Sequence, residues 1–170
     1  MQDAFKLADP WAAKKSRLKF NFDKANAMVV DSNLLSLEVL SSILSGFGFR
    51  HIARFHDIRR AAEHIGSHGA EVIFIDPYSF GPEGFDFVKE TRAGRLGASA
   101  AAPIFVVTGH AFMRAVTEMR DAGASYIIAK PFSPTILLDR ILWVAANESR
   151  RVAAAFQNDR APGQMSVEML

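Results

Sequence analysis

The stretch that most constrains this chain is a run of four apolar residues, Val72-Ile73-Phe74-Ile75, that stops abruptly at a carboxylate, Asp76. Four large apolar side chains in succession, two of them Ile, read as a strand buried on both faces of a parallel sheet. A Pro/Gly-rich loop follows, with Pro77, Gly81, Pro82 and Gly84. Open α/β sheets place their sites at the carboxyl ends of such strands, so Asp76 is the first functional candidate. The plain alternative is a carboxylate that only caps the loop.

The same motif recurs along the chain. Residues 27–30 read as a strand ending at Asp31, and Asn33 is an N-cap for a helix to about residue 45. That helix carries Leu37, Leu40 and Leu44 on one face, with Gly46 or Gly48 to stop it. A strand at 52–55 and a short helix at 58–65, ended by Gly66 and Gly69, come next. Beyond the central strand the pattern predicts a helix from Phe85 to about residue 93, a small-residue connector at 94–102, and a strand at 104–107 ending at Thr108. A helix with Phe112, Val116 and Met119 on one stripe closes at Gly123; a fifth strand at 126–129 ends at Lys130. The last helix starts near Ser133 and Pro134 and runs to about residue 156. Five strands alternating with five helices predict an α/β fold, a parallel five-stranded sheet doubly wound by right-handed crossovers.

Composition decides the class of partner. The absence of Cys excludes disulfides, thiolate chemistry and Cys-based metal sites, and fits a reducing, cytoplasmic setting. Fourteen Phe point to a core or interface rich in rings. No run approaches the roughly 20 apolar residues of a membrane span. Residues 1–25 hold six Lys/Arg against three Asp/Glu, whereas residues 26–147 hold eleven against twelve. The basic excess therefore belongs to an N-terminal arm, residues 1–23, and the near-neutral body at 24–147 lacks the basic stripe of a DNA-binding domain. Within the arm, Asp9 and Pro10 form a possible helix start, Lys14, Lys15, Arg17 and Lys19 a basic cluster, and Leu18, Phe20 and Phe22 a weak strand signal. Residues 148–170 are read as a helix extension and flexible tail, too short for an output domain.

The residues that end the strands converge on one sheet edge: Asp31 with Ser32, Asp76, Thr108 with Gly109, and Lys130 with Pro131. Two acids can hold Mg²⁺, which takes one or two carboxylates and keeps several waters. A carboxylate beside such an ion can accept a phosphoryl group, with Lys130 and backbone N–H groups offsetting the developing charge. Thr108 could donate its hydroxyl proton to a phosphoryl oxygen.

This pattern resembles the receiver domain of bacterial two-component response regulators, the CheY-like family, over about residues 24–147. The matching stretches are Val29-Val30-Asp31, Ile73-Phe74-Ile75-Asp76, Pro103 through Thr108, Gly123-Ala124-Ser125 and Lys130-Pro131-Phe132. The resemblance implies a flavodoxin-like (βα)5 fold with strand order 2-1-3-4-5. It implies Asp76 as phosphoacceptor, Asp31 as an acid of the Mg²⁺ site, and Tyr78 as donor of a backbone carbonyl to the metal. Thr108 and Lys130 would contact the phosphoryl group, and Gly109 would leave room for it. It also implies a signalling protein rather than an enzyme, phosphorylated by a histidine kinase or phosphotransfer protein and acting on a downstream protein target.

The chain departs from that family pattern in four places. Ser32 stands where most relatives carry a second acid, the direct metal ligand, which lowers the expected Mg²⁺ affinity. Pro77 removes an N–H beside the acceptor. Phe80-Gly81 replaces the usual Met-Pro pair. Ile127 stands at the switch aromatic, with Tyr126 one position off and facing the opposite side of the sheet. Two readings follow: a single-domain regulator phosphorylated on Asp76, or a degenerate receiver acting as a phosphorylation-independent interaction or dimerisation module.

The last helix should face the sheet with Leu137, Ile141 and Val144. Leu138 and Leu142 on one flank, with Ile136 and Trp143 on the other, form the expected partner surface or homodimer contact. Shielding by a neighbouring helix and the N-terminal arm is the competing explanation. Arg150 and Arg151 either bind an acidic partner or nucleotide messenger or belong to a solvated tail. A flavodoxin-like enzyme or cofactor binder would need a Gly-rich phosphate turn after the first strand, where Asp31-Ser32-Asn33-Leu34 stands instead.

Overall fold

A computed structural model of the chain describes residues 21–158, with side chains described through residue 147. The Asp9-Pro10 helix start, the basic cluster, Leu18 and Phe20, the C-terminal tail and the side chains of Arg150 and Arg151 lie outside the described residues. Elements follow as β1 (Asn26–Val30), α1 (Leu34–Phe47), β2 (His51–Phe55), α2 (Ile58–His68), β3 (Val72–Ile75), a 3-10 turn (Pro77–Phe80), α3 (Pro82–Arg92), a second 3-10 turn (Ala98–Ala101), β4 (Ile104–Thr108), α4 (Met113–Ala122), β5 (Tyr126–Ala129) and α5 (Pro134–Asn158). All strand pairs are parallel, in the order β2-β1-β3-β4-β5. This is the expected doubly wound arrangement, and β1, β3 and β4 are buried along nearly their whole length because helices cover both faces.

Each face has its own core. On one, Leu37, Leu40 and Leu44 of α1 and Leu137, Leu138 and Ile141 of α5 pack on Val29, Phe74, Phe105 and Ile128. On the other, Ile58 and Ile65 of α2, Phe87 and Val88 of α3, and Ala115, Met119 and Ala122 of α4 pack on Met28, Ile73, Ile75 and Val106. The Phe-rich composition is explained on the first face. Phe22 meets Phe49 edge-on at 5.0 Å, Phe49 meets Phe74 edge-on at 6.4 Å, and Phe74 stacks on Phe105 at 5.1 Å. Each buried Phe contributes about 1.5–3 kcal/mol through burial. Each ring pair adds about 0.5–1.5 kcal/mol.

Phe22 belongs to this row, so packing begins inside the span read as the basic arm. It sits in a turn rather than a strand, with the Asn21 carbonyl accepting from Lys24 and Ala25. The stripe expected on α4 is also corrected. Phe112 is the N-cap and, like Val116, is exposed, while the buried positions are Ala115, Met119 and Ala122. Small alanines carry that face, so hydrophobicity alone pointed to the wrong side.

Helices α1 and α2 run through Gly46 and Gly66 and end at Gly48 and Gly69. Gly48 has φ +107°, a left-handed conformation that glycine adopts without a Cβ penalty. Gly84 is required for a different reason. A Cβ there would collide with the Pro77 carbonyl and approach the Pro77 Cα to 2.8 Å, so Gly84 lets α3 lie directly against the turn after Asp76. Gly84→Ala should therefore destabilise the fold by about 2 kcal/mol, seen as a lower midpoint in urea unfolding at unchanged slope.

Candidate functional site

The sheet register brings the candidates together. Val30 pairs with Ile75, so the next residues, Asp31 and Asp76, emerge side by side from adjacent central strands. The backbone holds them level: the Asp76 N–H donates to the Val30 carbonyl at 3.0 Å and the Asp31 N–H to Phe55 at 3.1 Å. Thr108 pairs with Ala129, which places Lys130 one step further out, and its N–H donates to the Thr108 carbonyl at 2.8 Å. β1 and β3 flank the point where the strand order reverses, where sheets of this kind form their crevice.

Asp31 and Asp76 are both buried, and the Lys130 ammonium donates to both, at 2.7 Å to Asp31 Oδ2 and 3.2 Å to Asp76 Oδ2. The other Asp31 oxygen accepts from the Asn33 N–H at 2.9 Å. Asp76 Oδ1 is different: it is buried and has no hydrogen-bond partner. Asp76 sits at the N-cap of the 3-10 turn but makes no side-chain capping bond, which removes the reading of this carboxylate as a loop cap. A buried carboxylate oxygen left without a partner costs free energy unless something else engages it.

Thr108 is fully buried, and its Oγ1 accepts from the His110 N–H at 3.1 Å, keeping its own proton to donate. Gly109 is exposed, and a Cβ there would meet only open space. Tyr78 lies in the 3-10 turn with its carbonyl accepting from the Gly81 N–H at 3.3 Å. Its ring stacks on His110 at 4.9 Å and meets Phe85 edge-on at 4.9 Å, and its hydroxyl donates to Glu118 of α4 at 3.1 Å. Burial and that Glu118 bond raise the Tyr78 phenol above its usual range. Tyr126 and Ile127 face opposite sides of the sheet, as expected, with Tyr126 in the α1/α5 core and Ile127 in the other.

Ser79 and His110 were missed from sequence. Ser79 Oγ donates to the Asp76 carbonyl at 2.8 Å and accepts from the Ser32 N–H at 3.1 Å, and the Ser32 hydroxyl donates to the Ser79 carbonyl at 2.9 Å. Ser32, read only as a missing acid, is thus half of a two-serine clasp joining the loops after β1 and β3. A serine three residues past Asp76 was the sole signal, and it is a common one in turns.

The expected partner surface on α5 divides. Ile136 and Trp143 are exposed, at 48% and 55%. Leu138 and Leu142 are buried, at 0% and 8%, and are corrected to core residues. The buried arc of α5 is wider than one stripe, Leu138 and Leu142 sharing one core cluster with Leu37, Leu40 and Leu44 of α1. Trp143 instead meets Tyr126 edge-on at 5.9 Å, with the Arg140 guanidinium 5.2 Å from the Tyr126 ring centroid.

The chain belongs to the response regulator receiver domain family, whose model matches residues 27–142. It is similar in structure to the Vibrio cholerae chemotaxis protein CheY4, at 26% identity and TM-score 0.62 over 71% of this chain and 98% of that one. A CheY-like receiver domain protein from Methanospirillum hungatei matches at 21% identity and TM-score 0.64, over 75% of this chain and 98% of that one. The receiver domain of a Pseudomonas aeruginosa sensor histidine kinase, solved with a magnesium ion coordinated in its active site cleft, matches at 24% identity and TM-score 0.60. That match covers 71% of this chain and 97% of that domain. The last two likenesses show the fold alone. Among the described residues no helix is long and apolar enough to cross a membrane.

Ser79→Ala removes two hydrogen bonds of the clasp and should cost about 1–2 kcal/mol, measured by urea unfolding. Ser32→Ala removes only one hydrogen bond, from the Ser32 hydroxyl to the Ser79 carbonyl, and should cost less than Ser79→Ala.

Proposed function

We propose that this receiver accepts a phosphoryl group on Asp76 from a histidine kinase or phosphotransfer protein and signals through protein contacts. The observation that carries the reading is Asp76 Oδ1, a buried carboxylate oxygen without a partner at the switch point, beside an Asp76 Oδ2 already held by Lys130. A carboxylate kept only as a structural ion pair has no need of such an oxygen. In attack, Oδ1 supplies the electron pair, the bond from phosphorus to the donor's leaving group breaks, and the aspartyl phosphate forms. Lys130 offsets negative charge on the transferred group, and the Thr108 hydroxyl donates to one of its oxygens.

The donor set is all oxygen and fits a hard divalent cation: the Asp31 and Asp76 carboxylates and the Tyr78 carbonyl would hold Mg²⁺ with several waters. When bound, the ion supplies charge neutralisation at the phosphoryl oxygens. Ser32 contributes no charge, and its hydroxyl proton is given to Ser79, so the affinity is weak. Output passes through the surface of Ile136, Trp143, Tyr126 and Arg140 to a protein target or a second copy in the cytoplasm; no DNA binding is involved. The Ser32–Ser79 clasp favours a second reading, in which the loops are held closed without metal and the domain acts as a phosphorylation-independent interaction or dimerisation module.

Incubation with Mg²⁺ and a small phosphodonor, read by intact mass, separates the two. The first reading expects a gain of one phosphoryl group that is absent in Asp76→Asn; no gain at saturating donor and metal sinks it. Ser32→Asp should tighten Mg²⁺ binding by about tenfold or more, one extra carboxylate ligand being worth at least about 1.4 kcal/mol. An unchanged Mg²⁺ titration would show that position 32 lies off the metal. Trp143→Ala should weaken target binding or self-association by more than about tenfold, as expected for an aromatic anchor, in a binding titration or by sedimentation.

A further inference from the structure

The opposite edge of the sheet carries a second cluster that the phosphoacceptor chemistry does not use. Three of the chain's five histidines, His51, His64 and His68, line one cavity of about 370 Å³ at the amino ends of β1 and β2. His64 and His68 are four residues apart on α2, so their side chains lie on the same helix face. Their rings are nearly parallel, 8° between planes, with centroids 4.6 Å apart. The Phe55 ring lies 4.9 Å from that of His64.

The hydrogen bonds around Ser67 favour one ring nitrogen of His68. Ser67 Oγ lies 2.9 Å from the Glu63 carbonyl and 3.3 Å from that of His64, acceptors that can take only its proton. The same oxygen is 2.8 Å from His68 Nδ1, and with its proton on a carbonyl it accepts there from a hydrogen on Nδ1. The lone pair of His68 is thereby left on Nε2, held by the kind of hydrogen bond that orients metal-binding imidazoles.

We propose that His64 and His68 chelate a borderline divalent transition metal ion, Zn²⁺, Ni²⁺ or Cu²⁺, through their ring nitrogens, with His51 and water completing the shell. Neutral imidazole suits these ions, whereas the all-oxygen acid site suits Mg²⁺. Among the described residues no three His, Cys, Asp or Glu are already gathered for a metal. Two ligands therefore come preset from α2, and His51 must turn toward them to become a third. Small rotations about the soft ring torsions bring the two rings from parallel to convergent on an ion at about 2.0–2.1 Å.

The test is a calorimetric Zn²⁺ titration of the full chain carrying Asp31→Asn and Asp76→Asn, which takes both carboxylates away from the acid site. One equivalent bound at micromolar affinity is expected, weakened at least about tenfold by His64→Gln or His68→Gln and unchanged by His56→Ala. Ser67→Ala, which frees the tautomer without removing a ligand, should weaken binding by about tenfold. Cu²⁺ bound to the same protein should give an electron paramagnetic resonance spectrum with nitrogen coupling, lost in the double His64→Gln/His68→Gln variant. No binding at millimolar Zn²⁺ by a protein whose circular dichroism matches the parent would overturn the proposal. So would affinity or nitrogen coupling that survives in the double variant.

Discussion

The ammonium of Lys130, set between two buried carboxylates, is the interaction on which the acid edge depends. Adjacent central strands end in Asp31 and Asp76, and the backbone ladder gives them no freedom to separate. Unit charges about 4 Å apart at an effective dielectric of about 20 interact by on the order of 4 kcal/mol. One carboxylate–carboxylate repulsion alone would oppose closing this edge. Two attractions to Lys130 reverse the sign. Their reach is set by β5, because the Lys130 N–H bond to the Thr108 carbonyl fixes where the side chain starts. Strand order, register and site are thus one constraint: a one-residue slip of β5 would turn Lys130 to the other face of the sheet.

Ser32 fits the same electrostatics. A third carboxylate on this edge would add repulsions that Lys130 alone does not offset, and would call for a divalent cation to settle them. With serine there, the loops after β1 and β3 are joined by neutral hydrogen bonds through Ser79, and the edge is closed without further charge. Substituting one residue type has exchanged an electrostatic requirement for a hydrogen-bonded clasp. The unsatisfied demand that survives is confined to one atom, Asp76 Oδ1.

Strand ends are legible in sequence because burial on both faces forces continuous apolar runs, and a polar residue can appear only where the sheet stops. That is why the sequence alone places Asp31, Asp76, Thr108 and Lys130 on one edge. Helix faces were less legible. On α4 the buried stripe is built from Ala115, Met119 and Ala122, while larger apolar residues, Phe112 and Val116, point outward. Hydrophobic size alone does not pick out the buried face there. On α5 the reverse holds: Leu138 and Leu142 are buried in the same core as the leucines of α1, and the covered arc exceeds one stripe. The clasp of Ser32 and Ser79 and the pairing of His64 with His68 depend on loop closure and on ring orientation. Spacing alone carries neither.

The same closeness bears on how a change at Asp76 could travel. Ile127, packed in the core of α2, α3 and α4, carries no aromatic ring. The turn that begins at Pro77 is pressed against α3, where Gly84 removes the Cβ that would hold them apart. It is tied outward by Tyr78, whose ring lies between Phe85 of α3 and His110, and whose hydroxyl reaches Glu118 on α4. Closely packed interiors shift between discrete arrangements rather than deforming smoothly. A group added at Asp76 that displaced this turn would have to move Tyr78. A shift of Tyr78 would also disturb its hydrogen bond to Glu118, on the helix that bears exposed Phe112, Met113 and Val116 near its start.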